Sequence, residues 1–407
     1  MPLLDYSNFW DKIISRPRYK KSYHNLRKSY LTRIRIAVSL FYFGMGFTFA
    51  SWASRIPDIK QIMGLDESGL GLILFAIPVG QLVALPFSGK SVTKIGSDKM
   101  LPVTLFTYGI SLLFLGLAQH PWQLALALFF FGLSGNFCNI AVNTQGVYAE
   151  GLFSKPIMGS FHGSWSLAGF FGALCGMISN VFKWTPGFHF AIVLGILTLL
   201  ILTNKKFLVK VKKPKPTEPQ PAFWSGVSSL LIWLGVIALC CRTSEGIMYD
   251  WSGVYFREII GEKGALATLG YTAFMITMTT GRFLSDWLVL RFGRRPILIV
   301  SGIAVSIGLM CAVIFPYIVP STLSFMFVGL GVSTIFPIIF SIAGSRPDVP
   351  ASLALTIVTS VSFLGFLTGP PLIGLIAQHS SLRISFAFVA LFGILIALIV
   401  KNVKSIR

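Results

Sequence analysis

The chain has 407 residues, 54% of them hydrophobic and only 12% charged, with a formal net charge of +20 and a mean hydropathy of +0.75. A soluble domain usually carries about 25% charged residues, so this chain cannot clothe itself in ions, and its apolar runs of about 20 residues mark a polytopic helical membrane protein. A soluble enzyme, a disulfide scaffold and a disordered chain are excluded.

Apolar runs between polar breaks predict twelve spans. They fall at roughly 35–55, 68–88, 101–118, 122–147, 159–180 and 187–203, then 226–250, 265–289, 296–317, 320–342, 352–377 and 383–400. Each must be helical, because lipid offers no partner to an open backbone. Before them lies a basic tail, 1–34, which has no secretory signal pattern. Its Phe9, Trp10, Ile13 and Ile14 read either as a short surface helix or as disordered tail.

Of the 34 Lys and Arg residues, 27 fall on the side of the chain ends in this topology. Basic loops stay in the cytoplasm, so both termini are expected there, in a bacterial inner membrane. The charge then sets orientation and calls for no nucleic acid.

The segment 204–225 is basic and then Pro-rich, a stiff cytoplasmic linker that can rest on anionic lipid. It divides a six-helix bundle at 35–203 from another at 226–400, with a short tail, 401–407. The halves echo one another: Trp52-Ala53-Ser54 and Trp251-Ser252-Gly253 close the first span of each. Lys94-Ile95-Gly96 and Arg291-Phe292-Gly293 follow the second. A constant offset near 200 is the trace of a duplicated unit, and two parallel repeats around a midplane cavity make a transporter architecture. Cys138, Cys175, Cys240, Cys241 and Cys311 all lie within spans, without metal spacing, and read as small hydrophobes.

The segment Gly281-Arg282-Phe283-Leu284-Ser285-Asp286, followed by Arg291-Phe292-Gly293-Arg294-Arg295, resembles the loop motif of the major facilitator superfamily. The first-half copy, Gly89 to Lys99, has Thr93 in place of the acid and Lys94 in place of the arginine. Ser51 to Pro57, Phe161 to Leu167, Glu245-Gly246, Asp250-Trp251-Ser252 and Gly369 to Gly374 are similar to its fucose-permease-like branch, especially to uncharacterised bacterial inner-membrane permeases. The resemblance covers roughly residues 35–400. It implies an all-α fold of twelve transmembrane helices as two six-helix pseudo-repeats, and alternating access. It further implies a gating latch of Arg282, Asp286, Arg291, Gly293 and Arg294, with Asp286 beside the positive N-terminus of span 5. Because the first copy lacks its acid, the latch is expected to be asymmetric.

Ionisable groups within lipid are costly unless they face a cavity or a partner. Arg242 and Glu245 stand three apart on one helical face and can pair. Glu245, His162 and Asp250 are the proton-coupling candidates. Trp52, Gln81, Asn136, Asn139, Asn143, Trp165 and Arg242 are the substrate-binding candidates, the three amides forming one stripe. The amides serve equally well to bind neighbouring helices, and Trp52 to anchor at the interface. The glycines 159, 163, 169, 172 and 176 are expected to let helices approach closely, and Gly369-Pro370-Pro371 to break and bend span 11.

Fucose-permease-type symporters carry acids in spans 1 and 4. Here span 1 has none, and Glu150 stands at the end of span 4. Span 5 also lacks the proline of the drug-antiporter signature. The expectation is therefore a monomeric secondary transporter of a small polar solute, proton-coupled, with neither cofactor nor metal. A proton-antiport exporter of metabolites or drugs, and a non-transporting membrane sensor, are the alternatives.

Overall fold

The computed structural model describes residues 17–65, 67–210, 228–262, 266 and 269–403. The segment with Phe9, Trp10, Ile13 and Ile14, and most of the linker, lie outside the described residues.

The first half contains α1 (Pro17–Ile62), α2 (Glu67–Leu74), α3 (Ala76–Ile95), α4 (Ser97–Leu117), α5 (Pro121–Glu150), α6 (Met158–Val181) and α7 (Pro186–Asn204). The second half contains α8 (Ser229–Tyr255), α9 (Leu269–Phe292), α10 (Arg294–Ile314), α11 (Ile318–Gly344), α12 (Ala351–His379) and α13 (Leu382–Asn402). Helices α2 and α3 make a single crossing, interrupted at Phe75 where Pro78 has no N–H to offer the carbonyl of Leu74.

Among the described residues, ten helices are both long and apolar enough to cross a membrane. Helices α6 and α9 also have the length, 24 residues each. They give part of it to Ser160, His162, Ser164 and Ser166 in one and to Arg282 and Asp286 in the other. The outer surface is studded with exposed Leu126, Phe130, Leu199 and Ile303, while Asn143, Gln145, Glu245 and Arg282 are buried. A protein in water would do the reverse.

The packing repeats itself. In the first half α1 packs on α6, α3 on α5, and α4 on α5 and α7. In the second, α8 packs on α12, α9 on α11, and α10 on α11 and α13. This is one six-span plan used twice, and the halves meet chiefly through α6 with α9 and α3 with α12. Small residues bring backbones together where lipid gives helices no hydrophobic reason to associate. A Cβ on Gly80 would lie 2.0 Å from the Phe129 carbonyl oxygen, and one on Gly132 2.1 Å from that of Ile77, locking α3 to α5.

Several expectations need adjustment. Helix α1 begins at Pro17 and runs 46 residues, so the segment before residue 35 is helical well beyond the membrane face. Helix α12 continues through Gly369-Pro370-Pro371 without a break, because neighbouring helices within a bundle tolerate a missing N–H. The glycine series of α6 divides by face: Gly159 and Gly163 abut α9, Gly172 and Gly176 abut α1, and Gly169 meets nothing.

Candidate functional site: a charged centre beneath a latched face

With twelve crossings, both ends of the described chain lie on one face, here called the terminal face. It is shut by two seams at equivalent positions of the repeats. In the first, Asp286 near the end of α9 reaches the N-terminus of α6. Gly159 N–H donates to Oδ1 at 2.7 Å, Ser160 N–H to Oδ2 at 2.9 Å, and the Ser160 hydroxyl also donates to Oδ2. The first N–H groups of a helix have no internal partners and carry partial positive charge, so a carboxylate there is doubly favoured. Gly159 is required by this approach, since a Cβ would sit 2.7 Å from both Asp286 Oδ1 and the Arg282 carbonyl oxygen. Arg35 of α1 adds a bond to Ser160 Oγ at 2.7 Å.

In the second seam Thr93, at the end of α3, meets Ser352 at the start of α12, hydroxyl to hydroxyl at 2.5 Å. Gly89 allows the contact, its Cβ position lying 2.5 Å from Thr356 Oγ1. The loop turns beside the seams are equivalent too: Gly96 and Gly293 sit at φ +100° and +84°, which only glycine adopts without strain. One seam is thus ionic and the other neutral.

A second acid, Glu150, strengthens the ionic side. Its Oε2 accepts from Ile157 N–H at 2.8 Å and Met158 N–H at 2.9 Å, and its Oε1 accepts from the Ser341 hydroxyl of α11. Arg294 donates to Ser341 Oγ at 2.9 Å and lies 3.9 Å from Glu150. Two carboxylates, one from each half, therefore share the entry to α6. Sequence reasoning singled out Asp286 and passed over Glu150. The signal was its position one short loop before the N-terminus of α6. Of the other latch candidates, Gly293 makes the turn, Arg294 joins the network, and Arg291 is exposed. On the adjoining loop Arg346 grips Asp348 at 2.8 and 2.5 Å, which holds the Asp348 carboxyl below its usual range.

Arg282 lies in the same seam of α6 with α9, beneath the Asp286 contact. It stands one turn deeper than Asp286, 5% exposed, and donates to Glu245 Oε1 at 3.0 Å and to Ser166 Oγ at 2.5 Å. It is one of the 27 basic residues assigned to that side from the sequence, but four residues along a helix place it about 6 Å deeper than Asp286. Glu245, 1% exposed, receives Arg242 on its other oxygen at 3.1 Å. The expected pairing of Arg242 with Glu245 is therefore present and forms half of a three-membered cluster. Arg242 lies over the Phe336 ring at 4.6 Å and Arg282 is 5.7 Å from the Trp165 ring. The cluster joins α6, α8, α9 and α11, across the two halves.

The remaining candidates separate around this centre. His162 is enclosed between the rings of Tyr42 and Phe340, its Nε2 buried without a bonded partner among the described residues. Asn143 accepts from Tyr42 at 2.8 Å and donates to Asn139, so this part of the stripe is spent on helix contacts. Asn136 is buried and Gln81 half-buried. Trp52 is 1% exposed against Phe131, a core residue and neither a stacking platform nor an interfacial anchor. Asp250 is exposed near the opposite face, while Arg55 is held by Asp58 at 3.0 Å and the Trp184 carbonyl at 2.6 Å. Gln145, off the stripe, clamps the start of the linker through Val209, at 2.8 and 2.9 Å, and holds Ser97.

A charged centre between two six-helix repeats, sealed at one face, defines a membrane carrier. Residues 36–352 match the Major Facilitator Superfamily, and the chain belongs to that family. An uncharacterised MFS-type transporter of Yersinia pestis is 32% identical over 370 residues, 89% of this chain and 94% of that protein. Among solved structures, FucP in its outward conformation superimposes with a TM-score of 0.77 at 14% identity, covering 90% of this chain and 97% of FucP. The xylose carrier XylE superimposes with a TM-score of 0.71 at 15% identity, covering 93% and 96%. The chain is a multi-pass protein of the bacterial inner membrane and a secondary transporter that works by alternating access, not an enzyme.

Proposed function

We propose that this protein moves a small polar solute together with protons, that its terminal face is cytoplasmic, and that it works as a monomer. The orientation is supported by the concentration of Lys and Arg on that face. A face sealed by the seams of α6 with α9 and of α3 with α12 then corresponds to a carrier open to the outside. Proton coupling is supported by likeness in fold to FucP and XylE, which are proton symporters of fucose and xylose.

The observation that carries the reading is the bond pattern of Arg282. It holds Glu245 within the second half and Ser166 across the division between the halves. When the sealed face opens and α9 leaves α6, Arg282 loses Ser166 and its hold on Glu245 changes. The carboxylate is thereby tied to the gate through Arg282, which makes Glu245 the coupling group of this reading.

The test begins with a thermal-shift screen of a metabolite library, since a ligand stabilises the state it binds. A hit is then supplied to proteoliposomes. Symport predicts solute-dependent alkalinisation of the outer medium, lost in Glu245→Gln, while solute exchange without a proton gradient survives. Acidification points to antiport, and unchanged alkalinisation in Glu245→Gln removes Glu245 from the coupling route.

A further inference from the structure

The charges at the centre do not balance. Among the described residues, the ionisable side chains at mid-depth between the halves are His162 of α6, Arg242 and Glu245 of α8, and Arg282 of α9. The two arginines share one carboxylate, which leaves the cluster formally at +1. The nearest other acids are committed or distant. Asp286 is bonded to the N-terminus of α6 and Glu150 to Ser341 and the start of α6. Asp250, exposed, lies about 7.5 Å further along α8, at 1.5 Å per residue from Glu245. A lone cation costs several kcal/mol within a membrane unless a counter-charge arrives.

The arginines are not equivalent. Arg282 is sealed in, with Nε buried and without a bonded partner. Arg242 gives a single N–H to Glu245, and 38% of its side chain is exposed. Its planar fork therefore keeps free, accessible N–H donors, backed by Phe336 of α11 on one face. A guanidinium with free donors matches a carboxylate in geometry and charge. Trp165 and Asn139, both half-buried, stand on the facing helices of the first half.

We infer that the cargo is a small organic anion whose carboxylate is received by Arg242. This rests on the transport reading above and names the solute class for that same site. An arriving carboxylate neutralises the +1 cluster and draws Arg242 away from Glu245, so the exposed arginine selects charge while the buried one keeps the gate. A neutral polyol or sugar leaves the charge uncompensated and gains less.

The experiment uses the full-length protein in detergent and the arginine reagent phenylglyoxal, with modification read by peptide mass spectrometry. The probes are pairs that differ only by carboxylate against carbinol: glycolate with ethylene glycol, lactate with 1,2-propanediol, and gluconate with sorbitol. Ionic strength is balanced with sodium chloride. Arg242 is expected to react, and at least one carboxylate to slow its modification threefold or more while its carbinol partner does not. The exposed Arg291 serves as control and reacts equally throughout. For the protecting carboxylate, thermal stabilisation is expected to persist in part in Arg242→Lys and to need tenfold more ligand in Arg242→Gln. An unreactive Arg242, equal protection by both members of every pair, protection by none of them, or undiminished binding to Arg242→Gln each overturns the assignment. Loss of proton coupling with carboxylate protection intact would instead overturn the transport reading and leave this one standing.

Discussion

At the scale of single residues, function rests on which carboxylate meets which donor. Asp286→Asn keeps the shape of the latch but exchanges charge-assisted bonds for neutral ones and turns an amide N–H toward other donors. The difference is about 1–2 kcal/mol, enough to shift the closed-to-open ratio of the terminal face by roughly 5–30-fold. The reactivity of a cysteine introduced at the seam is expected to rise accordingly; unchanged reactivity and transport would sink the latch. Glu150 and Arg294 make a contrasting pair. The 3.9 Å contact and the partly exposed Arg294 give their ion pair a coupling of less than about 1 kcal/mol, whereas Glu150 also caps two N–H groups of α6. Glu150→Gln should therefore destabilise the closed face more than Arg294→Gln, and a double-mutant cycle would measure the remainder. The sequence marked Asp286 and Glu245 because acids are scarce in these spans. It misjudged the depth of Arg282, whose i, i+4 relation to Asp286 already placed it one turn inward, and it missed Trp52 as core. Where a helix is apolar all round, the direction in which one indole points is a matter of packing that periodicity does not record.

At the scale of the helix, the crossings were legible almost to their ends, since hydrophobic length leaves few choices in lipid. Expected spans such as 122–147 and 383–400 correspond to α5 (Pro121–Glu150) and α13 (Leu382–Asn402). The interruption at Phe75 was not read, although Pro78 announced it. The unbroken course of α12 was misread for the opposite reason: proline removes one bond, and the surrounding bundle decides whether that matters. Helix contacts depend on glycines whose value is visible only in three dimensions. Gly132→Ala is expected to overpack the α3–α5 contact, costing about 1–3 kcal/mol and lowering the melting temperature of the purified protein. Gly169→Ala, with nothing near its Cβ position, should leave it unchanged. Equal melting temperatures for the two variants would contradict the packing described.

At the scale of the whole molecule, the charge of the centre dictates the electrical signature of transport. A monovalent anion that enters at a +1 cluster and travels with one proton carries no net charge across the membrane, so a membrane potential does no work on the cycle. Uptake of the anion into proteoliposomes should follow an imposed pH gradient and ignore a potassium–valinomycin potential. Uptake driven by potential alone would mean that the cargo is neutral or that more than one proton accompanies it. The duplicated plan was readable from the offset near 200 between motifs, but the division of labour between the halves was not. The first half supplies the donors Gly159 and Ser160 and the acceptor Ser166, and the second supplies Asp286, Arg282 and Glu245.

That division leaves the terminal face with two seams that answer to different variables. The pair Thr93 and Ser352 carries no charge, so ionic strength and headgroup composition leave it untouched. The seam of α6 with α9 is built on Asp286, Glu150, Arg35 and Arg294, charges that answer to ionic strength and to anionic headgroups. The face should consequently part as a wedge and not as parallel jaws, with lipid composition setting which side leads. A change in the anionic lipid around this carrier would then retune it without any more of it being synthesised.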